Sequence, residues 1–578
     1  MNFKRFAYDF ARRFFRRSIN LSQYSSILGL FSFLITGRKL HNTLPAPSRC
    51  KCITMKPKKM AIIGGSMFSF GVLFCSIIFP PFLKSQIKKQ VRLKDGTEMR
   101  ELWSNFPYPI DFKMYLFNVT NPVEVTAGEK PILQQVGPFY YDEFKQKVDL
   151  VDREEDDSVE YNAKVTWYFN AAKSNPLTGD EELFVPHVLI LTIVKLTLIL
   201  QPAAIGVVNK AVDSIFKKPT SVFVKTKAKD ILFDGLLVDC TVKDFAGSAV
   251  CGQLKEKEEQ FKKMGEGQYL FSLFGAKNAT PSHERIRVLR GIKNYKDVGR
   301  VIEFDGKPAL TTWPEDHCNA LNGTDATIFP PLMTSDDDIV SFAPDLCRSL
   351  SAQYRFDTKV RGLKTYRYST DLGDSSSDPR EKCYCPTPET CLSKDLYDLY
   401  KCMGLPLVGS QPHFFGADEK YLQMVDGLHP VEEKHDLSMD FEPMTATPVV
   451  AHTRLQFNMF LGPVEKFKLM KKFPECLLPI FWIEEDFTLP DELMKKLKMV
   501  FLLKRIIGIL KYITIFVGMG MGGGAAAMMY KNKDTNKEVT KVTPQSQNGT
   551  NGEQKKWPPQ MNVSTIQSAA VPASLDKD

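Results

Sequence analysis

Histidine and tryptophan are scarce in this chain of 578 residues, at eight and five copies. Seven of the histidines, His187, His283, His317, His413, His429, His435 and His452, fall in no metal-ligand spacing and no triad motif. That argues against an ecto-enzyme, and no catalytic residue, metal or cofactor is expected. Positive charge is missing where a nucleic-acid binder needs it. Residues 1–59 carry thirteen Lys/Arg against the single acid Asp9, and the tail from Lys531 carries seven against five acids. The formal net charge is only +9, so the long centre is mildly acidic and no nucleic-acid partner is expected. Internal repeats and low-complexity breaks are lacking between residues 84 and 505.

Charge is absent altogether from Met60 to Leu83, a run of 24 residues. As a helix it measures ~36 Å, more than the ~30 Å hydrocarbon core, and is expected to span a membrane. A second apolar stretch, residues 506–530, is interrupted only by Lys511, whose stem can reach an interface. It is expected to be a second span, and Gly518, Gly520, Gly522 and Gly524 within it suggest close helix packing. A third apolar run, Val188 to Val208, carries Lys195 and is broken at Gln201-Pro202. The 13 residues left are a length typical of a core or interfacial segment, so it is not read as a span.

Orientation follows from cysteine. Six of the twelve cysteines, Cys318, Cys347, Cys383, Cys385, Cys391 and Cys402, fall within 85 residues among Pro, Ser, Asp and Gly. Such an even cluster behind a membrane anchor reads as a disulfide framework, which needs an oxidising compartment. The competing zinc reading is weak, because Cys383-x-Cys385 lacks the usual two-to-four-residue gap. The centre is therefore placed outside and both termini in the cytoplasm. Asn118, Asn278 and Asn322 are then the expected glycosylation sites, while the sequons at Asn20, Asn548 and Asn562 would escape modification.

The expected organisation is a basic cytoplasmic extension (1–59), a first span (60–83), an extracellular disulfide-bonded domain (84–505), a second span (506–530) and a disordered cytoplasmic tail (531–578). The extension interleaves Arg pairs with aromatics from Phe3 to Arg17; it reads either as an amphipathic membrane-surface segment or as the product of a start upstream of Met55. In the centre, alternating runs such as Lys113 to Thr120 and Arg454 to Leu461 predict antiparallel strands. Helical patches are predicted at Val207 to Phe216, Glu256 to Met264 and Leu489 to Leu503. The fold class is α+β with a sheet-dominated ectodomain.

Several motifs occur in one order: Gly137-Pro-Phe-Tyr-Tyr-Asp-Glu143, His317-Cys-Asn-Ala-Leu-Asn-Gly-Thr-Asp-Ala326, Asp345-Leu-Cys-Arg-Ser349, Cys383-Tyr-Cys385, Asp426-Gly-Leu-His-Pro430 and Phe441-Glu-Pro-Met-Thr445. Together they resemble the class B scavenger receptor family, and runs such as Pro176-Leu-Thr-Gly-Asp-Glu-Glu182 are similar to its insect sensory neuron membrane protein branch. The resemblance implies a large antiparallel β-barrel ectodomain with apical helices, flanked by two transmembrane helices, and a tunnel for fatty-acid-derived pheromones. It also implies a plasma-membrane site on sensory cilia or dendrites, with an odorant receptor complex, pheromone-binding proteins and membrane lipids as partners.

By carry-over the disulfides would be Cys318 with Cys383, Cys347 with Cys402, and Cys385 with Cys391, each stabilising the fold by restricting the unfolded chain. Cys240 and Cys251 lie outside that framework and can pair, leaving Cys476 odd. The ligand entrance is expected far from the anchors, near Lys195, Lys210, Lys217 and Lys218, although an ordinary solvated Lys pair is the favoured account of the last two. Two other classes compete with a ligand-transfer receptor: a two-span ligand-gated channel subunit and a non-transporting scaffold or adhesion receptor. A pore usually carries polar positions along its spans, and Met60 to Leu83 has no charge.

Overall fold

The computed structural model describes residues 55–387 and 390–539. Most of the N-terminal extension, the tail beyond Val539, and the sequons at Asn20, Asn548 and Asn562 lie outside them. Two compact units are defined: Ser66–Gly518, and a second joining the chain up to Gly65 with the chain from Met519 on.

Helix α1 runs Pro57–Gln90 and, among the described residues, is the one helix long and apolar enough to cross a membrane. It widens into a π-type turn at Phe70–Ile78. The cause is Pro80-Pro81 just beyond, which cannot donate to the preceding turn and whose rings crowd its carbonyls.

Among the described residues, three α-helices of eleven residues or more follow before the last one: α2 (Val188–Leu200), α3 (Ile205–Ile215) and α4 (Phe245–Lys255). At 13 residues α2 is ~20 Å long, too short to cross a bilayer. It begins in a buried stretch from Val188 and ends with Ile199 and Leu200 exposed. Helix α4 is N-capped by Asp244, whose Oδ1 accepts from Gly247 N at 2.8 Å, and a Cys240–Cys251 disulfide ties it down.

The predicted helical patch at Glu256 to Met264 is not one. A short turn at Glu258–Gln260 leads into a strand at Lys262–Gly265, because Gly267 at φ +73° turns the chain back and strand pairing overrides the helix preference of the Glu/Lys run. The last helix, α5, spans Asp491–Val539, contains the second apolar stretch, and continues nine residues past Tyr530.

The strands in chain order are β1 (Ile110–Val119), β2 (Leu133–Arg153), β3 (Ser158–Phe169), β4 (Glu182–Pro186), β5 (Phe223–Lys227), β6 (Leu236–Asp239), β7 (Lys262–Gly265), β8 (Gln268–Phe271) and β9 (Pro281–Leu289). Then come β10 (Val301–Phe304), β11 (Ile339–Ala343), β12 (Arg348–Val360), β13 (Leu363–Thr370), β14 (Leu396–Asp398), β15 (Val408–Ser410), β16 (Leu437–Glu442), β17 (Thr447–Leu461) and β18 (Cys476–Thr488). Thirteen of them form one antiparallel sheet in the order β10-β9-β3-β2-β1-β18-β17-β16-β13-β12-β11, with β15 and β14 branching from β17. Its two edges nearly meet. Val301 N donates to Gly323 O, Thr324 N donates to Val340 O, and Phe342 N donates to Thr324 O. One segment thus links β10 to β11 and almost closes the sheet, which disposes of exposed edges.

The motif glycines serve backbone approach. Gly137, at φ +153°, lies where β2 bulges against β1, and a Cβ there would stand 2.7 Å from the Tyr115 ring. At Gly427, φ +95°, a Cβ would strike the Leu133 carbonyl.

In the larger unit, α1 and α5 touch at Gly71, where a Cβ would meet Thr514 Oγ1 at 2.5 Å and Ile515 Cγ1 at 2.7 Å. The glycine run expected to pack closely behaves differently. Added Cβ atoms at Gly520 and Gly522 would meet nothing within 4 Å, and Gly524 approaches only the flexible end of Met60. The small residue that permits the approach is on the other helix.

Candidate functional site

Strand register sorts the residues of β1, β2, β17 and β18 onto two unlike faces. On one, Phe112 pairs with Tyr141 and Glu485, Met114 with Ile483, Leu116 with Phe481, and Phe457 with Phe481. A lane of rings runs across it. Phe457 stacks on Phe481 at 4.7 Å, Phe481 meets Phe274 at 5.9 Å, and Phe274 meets both Phe112 and Trp167 at 5.7 Å. Leu455, Phe457, Ile483, Trp167, Phe233 and Phe274 all keep partial accessibility here.

The other face is polar yet covered at its centre. Arg454, Gln456, Asn458 and Glu484 are buried under the chain that follows β15. Gln456 Oε1 accepts from His413 N at 2.8 Å, and Asn458 Nδ2 donates to Val408 O at 3.0 Å and Ser410 Oγ at 2.9 Å. Arg454 reaches Glu484 through Nε at 2.9 Å and Nη2 at 2.7 Å. His413 and His435 stack at 4.4 Å, with Trp482 edge-on to both. Burial pushes the His413 pKa down to about 3 and that of His435 to about 4, with positive neighbours adding to each shift. His452, Glu484 and Asp486 bring potential ligand atoms within 4.8 Å of one another. Lys113, at 3.1 Å from Glu484 and 2.7 Å from Asp486, and Arg454 already balance those carboxylates, so the cluster is a charge network rather than a metal centre.

On the apolar face one polar group interrupts the lane. Trp167 Nε1 donates to Glu143 Oε1 at 3.0 Å, and Lys145 Nζ lies 2.6 Å from Glu485 Oε2 and 3.6 Å from Glu143 Oε2. Burial above all, then the charge of Glu485, pushes the Glu143 pKa up to about 8. For Lys145 burial opposes the charge, but Glu143 and Glu485 outweigh it and hold the amine above its ordinary value. The Lys145 side chain keeps 35% of its surface accessible. Sequence reading did not single out this trio; charged residues at alternate positions of a strand look solvent-facing until the register is known.

The four basic residues named for the entrance fall on the α2–α3 hairpin and the turn after it. Lys195 is partly buried in α2, which lowers its pKa, whereas Lys210 on α3 and Lys217 and Lys218 beyond it are exposed. Lys217 and Lys218 both take left-handed backbone, φ +57°. Asn322 is exposed; Asn118 and Asn278 are half-buried, and Asn278 Oδ1 accepts from Trp167 N at 2.9 Å.

Among the described residues there are four disulfides: Cys318–Cys383, Cys347–Cys402, Cys385–Cys391 and Cys240–Cys251. With both sulfurs of Cys383-x-Cys385 bonded elsewhere, the zinc alternative is overturned. Cys476 stays free and buried, and burial pushes its thiol up to about 12.

A nearly closed, disulfide-braced antiparallel sheet with a membrane-length helix before it defines a membrane-anchored β-domain. The model of the CD36 family matches residues 62–529, and the chain belongs to that family. It is 66% identical over 525 residues to "Sensory neuron membrane protein 1" of Apis mellifera, covering 91% of this chain and all of that protein. Proteins of the same name from Manduca sexta and Plutella xylostella are 41% and 40% identical, over 90% and 85% of this chain and 98% and 95% of their own lengths.

Proposed function

We propose that the chain is a cell-surface receptor of sensory neurons that takes fatty-acid-derived molecules into the space beside the apolar face and delivers them to a partner odorant receptor. The observation that carries this reading is the ring-lined face whose central residues Leu455, Phe457 and Ile483 keep accessible surface while their polar neighbours are buried. A long apolar chain needs such a wall to stay out of water over nanometres. The name borne by the relatives supports the sensory setting.

In this reading α1 and the 506–530 stretch of α5 both span, residues 84–505 lie outside carrying glycans at Asn118, Asn278 and Asn322, and ligand enters near Lys195, Lys210, Lys217 and Lys218. Pheromone-binding proteins would present the ligand at the cilia or dendrites. The test is binding of tritiated hexadecan-1-ol to the full chain in nanodiscs, before and after Leu455→Trp with Phe457→Trp. Saturable binding that the bulky pair abolishes, with melting and glycans unchanged, is expected. Absence of binding to the unmodified chain would leave a scaffold as the better reading, and a sugar at Asn548 would overturn the topology.

A further inference from the structure

The trio Glu143, Lys145 and Glu485 leaves donor and acceptor capacity unused where its neighbours do not. Lys147, the next residue on the same side of β2, donates to Trp103 O at 3.1 Å and Thr327 Oγ1 at 3.0 Å and sits 3.7 Å from Asp325. Its donors are spent. Lys145 has three N–H donors. One reaches Glu485 at 2.6 Å, but Glu143 Oε2, at 3.6 Å, is beyond hydrogen-bond reach and makes no other hydrogen bond.

The amine thus keeps donor capacity and accessible surface at the point where Trp167 joins the trio to the ring lane. A ligand site is expected to look like this: an apolar wall with a few polar groups that fix orientation.

We propose that Lys145, held between Glu143 and Glu485, is a head-group subsite that takes the neutral oxygenated end of a long-chain molecule, an alcohol or ester, in preference to a carboxylate. The proposal rests on the apolar face being a ligand site. Charge decides the selectivity. If Glu143 is ionised, two carboxylates already face one ammonium, and a third from the ligand meets uncompensated repulsion. If Glu143 is protonated, as its upward shift favours at neutral pH, Lys145 and Glu485 cancel and an incoming acid remains unpaired away from water. A neutral oxygen, by contrast, accepts from the Lys145 ammonium without changing the charge count. Both protonation states exclude the acid and admit the alcohol or ester.

The test is displacement of tritiated hexadecan-1-ol from the full chain in nanodiscs by hexadecyl acetate and by hexadecanoate. The unmodified chain is expected to prefer the acetate at least tenfold. Glu485→Gln removes one negative neighbour of Lys145 and should move the preference at least tenfold toward hexadecanoate. Lys145→Met should instead weaken hexadecan-1-ol about tenfold, and it carries the test alone if Glu485→Gln yields no folded protein. If hexadecan-1-ol binds the unmodified chain but neither variant shifts affinity or preference, the subsite is refuted and the lipid-lined face stands. If hexadecan-1-ol does not bind the unmodified chain, the ligand reading falls, and the subsite with it.

Discussion

The two faces of β17 and β18 reverse the usual order of a sheet. Arg454, Gln456 and Asn458 alternate with Leu455 and Phe457, yet the polar set is sealed and the apolar set is partly open. The polar face closes because each member finds a partner, as Gln456 Nε2 does in Asn458 Oδ1 at 2.8 Å. A saturated network of this kind holds the strands in register by itself. The apolar face keeps accessible surface at Leu455, Phe457 and Ile483.

The largest expected contrast compares two phenylalanines. Phe117 is fully buried on the polar side near His413, and Phe117→Ala should cost about 4 kcal/mol in thermal or denaturant unfolding. Phe457→Ala should cost about half, because space already exists beside it. Equal costs would mean the apolar face is an ordinary core.

Next, Arg454→Met should destabilise by about 3 kcal/mol, since it deprives buried Glu484 of a partner. A loss below about 1 kcal/mol would show the network to be dispensable.

The histidine stack gives a smaller, pH-dependent effect. His413 and His435 are held neutral well below their unfolded pKa of about 6.5, so between pH 7 and pH 5 the unfolded state gains protons that the folded state refuses, and stability falls. Glu143, raised by burial, runs the opposite way, so the clean measurement is a difference. The stability of the unmodified chain relative to His435→Phe should drop by about 2 kcal/mol over that range.

Smallest is Leu455→Trp, expected to change stability by less than about 1.5 kcal/mol because the new ring enters open space. A loss of several kcal/mol would show that no such space exists.

Much of this was legible in the residues. Lys113 to Thr120 and Arg454 to Leu461 alternate strictly enough to declare β1 and β17, and the charge-free run at Met60 declares α1. Helix α3 begins within two residues of its predicted start. What escaped depends on partners distant in sequence. Helix α4 carries Gly247 and Gly252 and is stabilised by a cap and a disulfide rather than by propensity. The close approach of α1 to α5 uses Gly71, one small residue in an apolar run, whereas the conspicuous glycines of α5 meet almost nothing. The Glu143–Lys145–Glu485 trio joins residues some 340 positions apart, visible only once β1 lies between β2 and β18.

The segment at Gly323–Thr324, which completes the ring of strands with a handful of backbone bonds, has a mechanical meaning. Elsewhere the strands are zipped over long registers, such as the twelve Cα partners of β17 and β18. Pulled or heated, the domain should part first along this seam, as a garment opens at its fastening, and amides there should exchange hydrogen earliest in the sheet. Gly323 at the seam admits no side chain, since a Cβ would strike the Val340 carbonyl, and exposed Asn322 stands beside it. A sugar attached there would sit on the fastening itself, so the state of one sequon would govern how readily the whole ring comes undone.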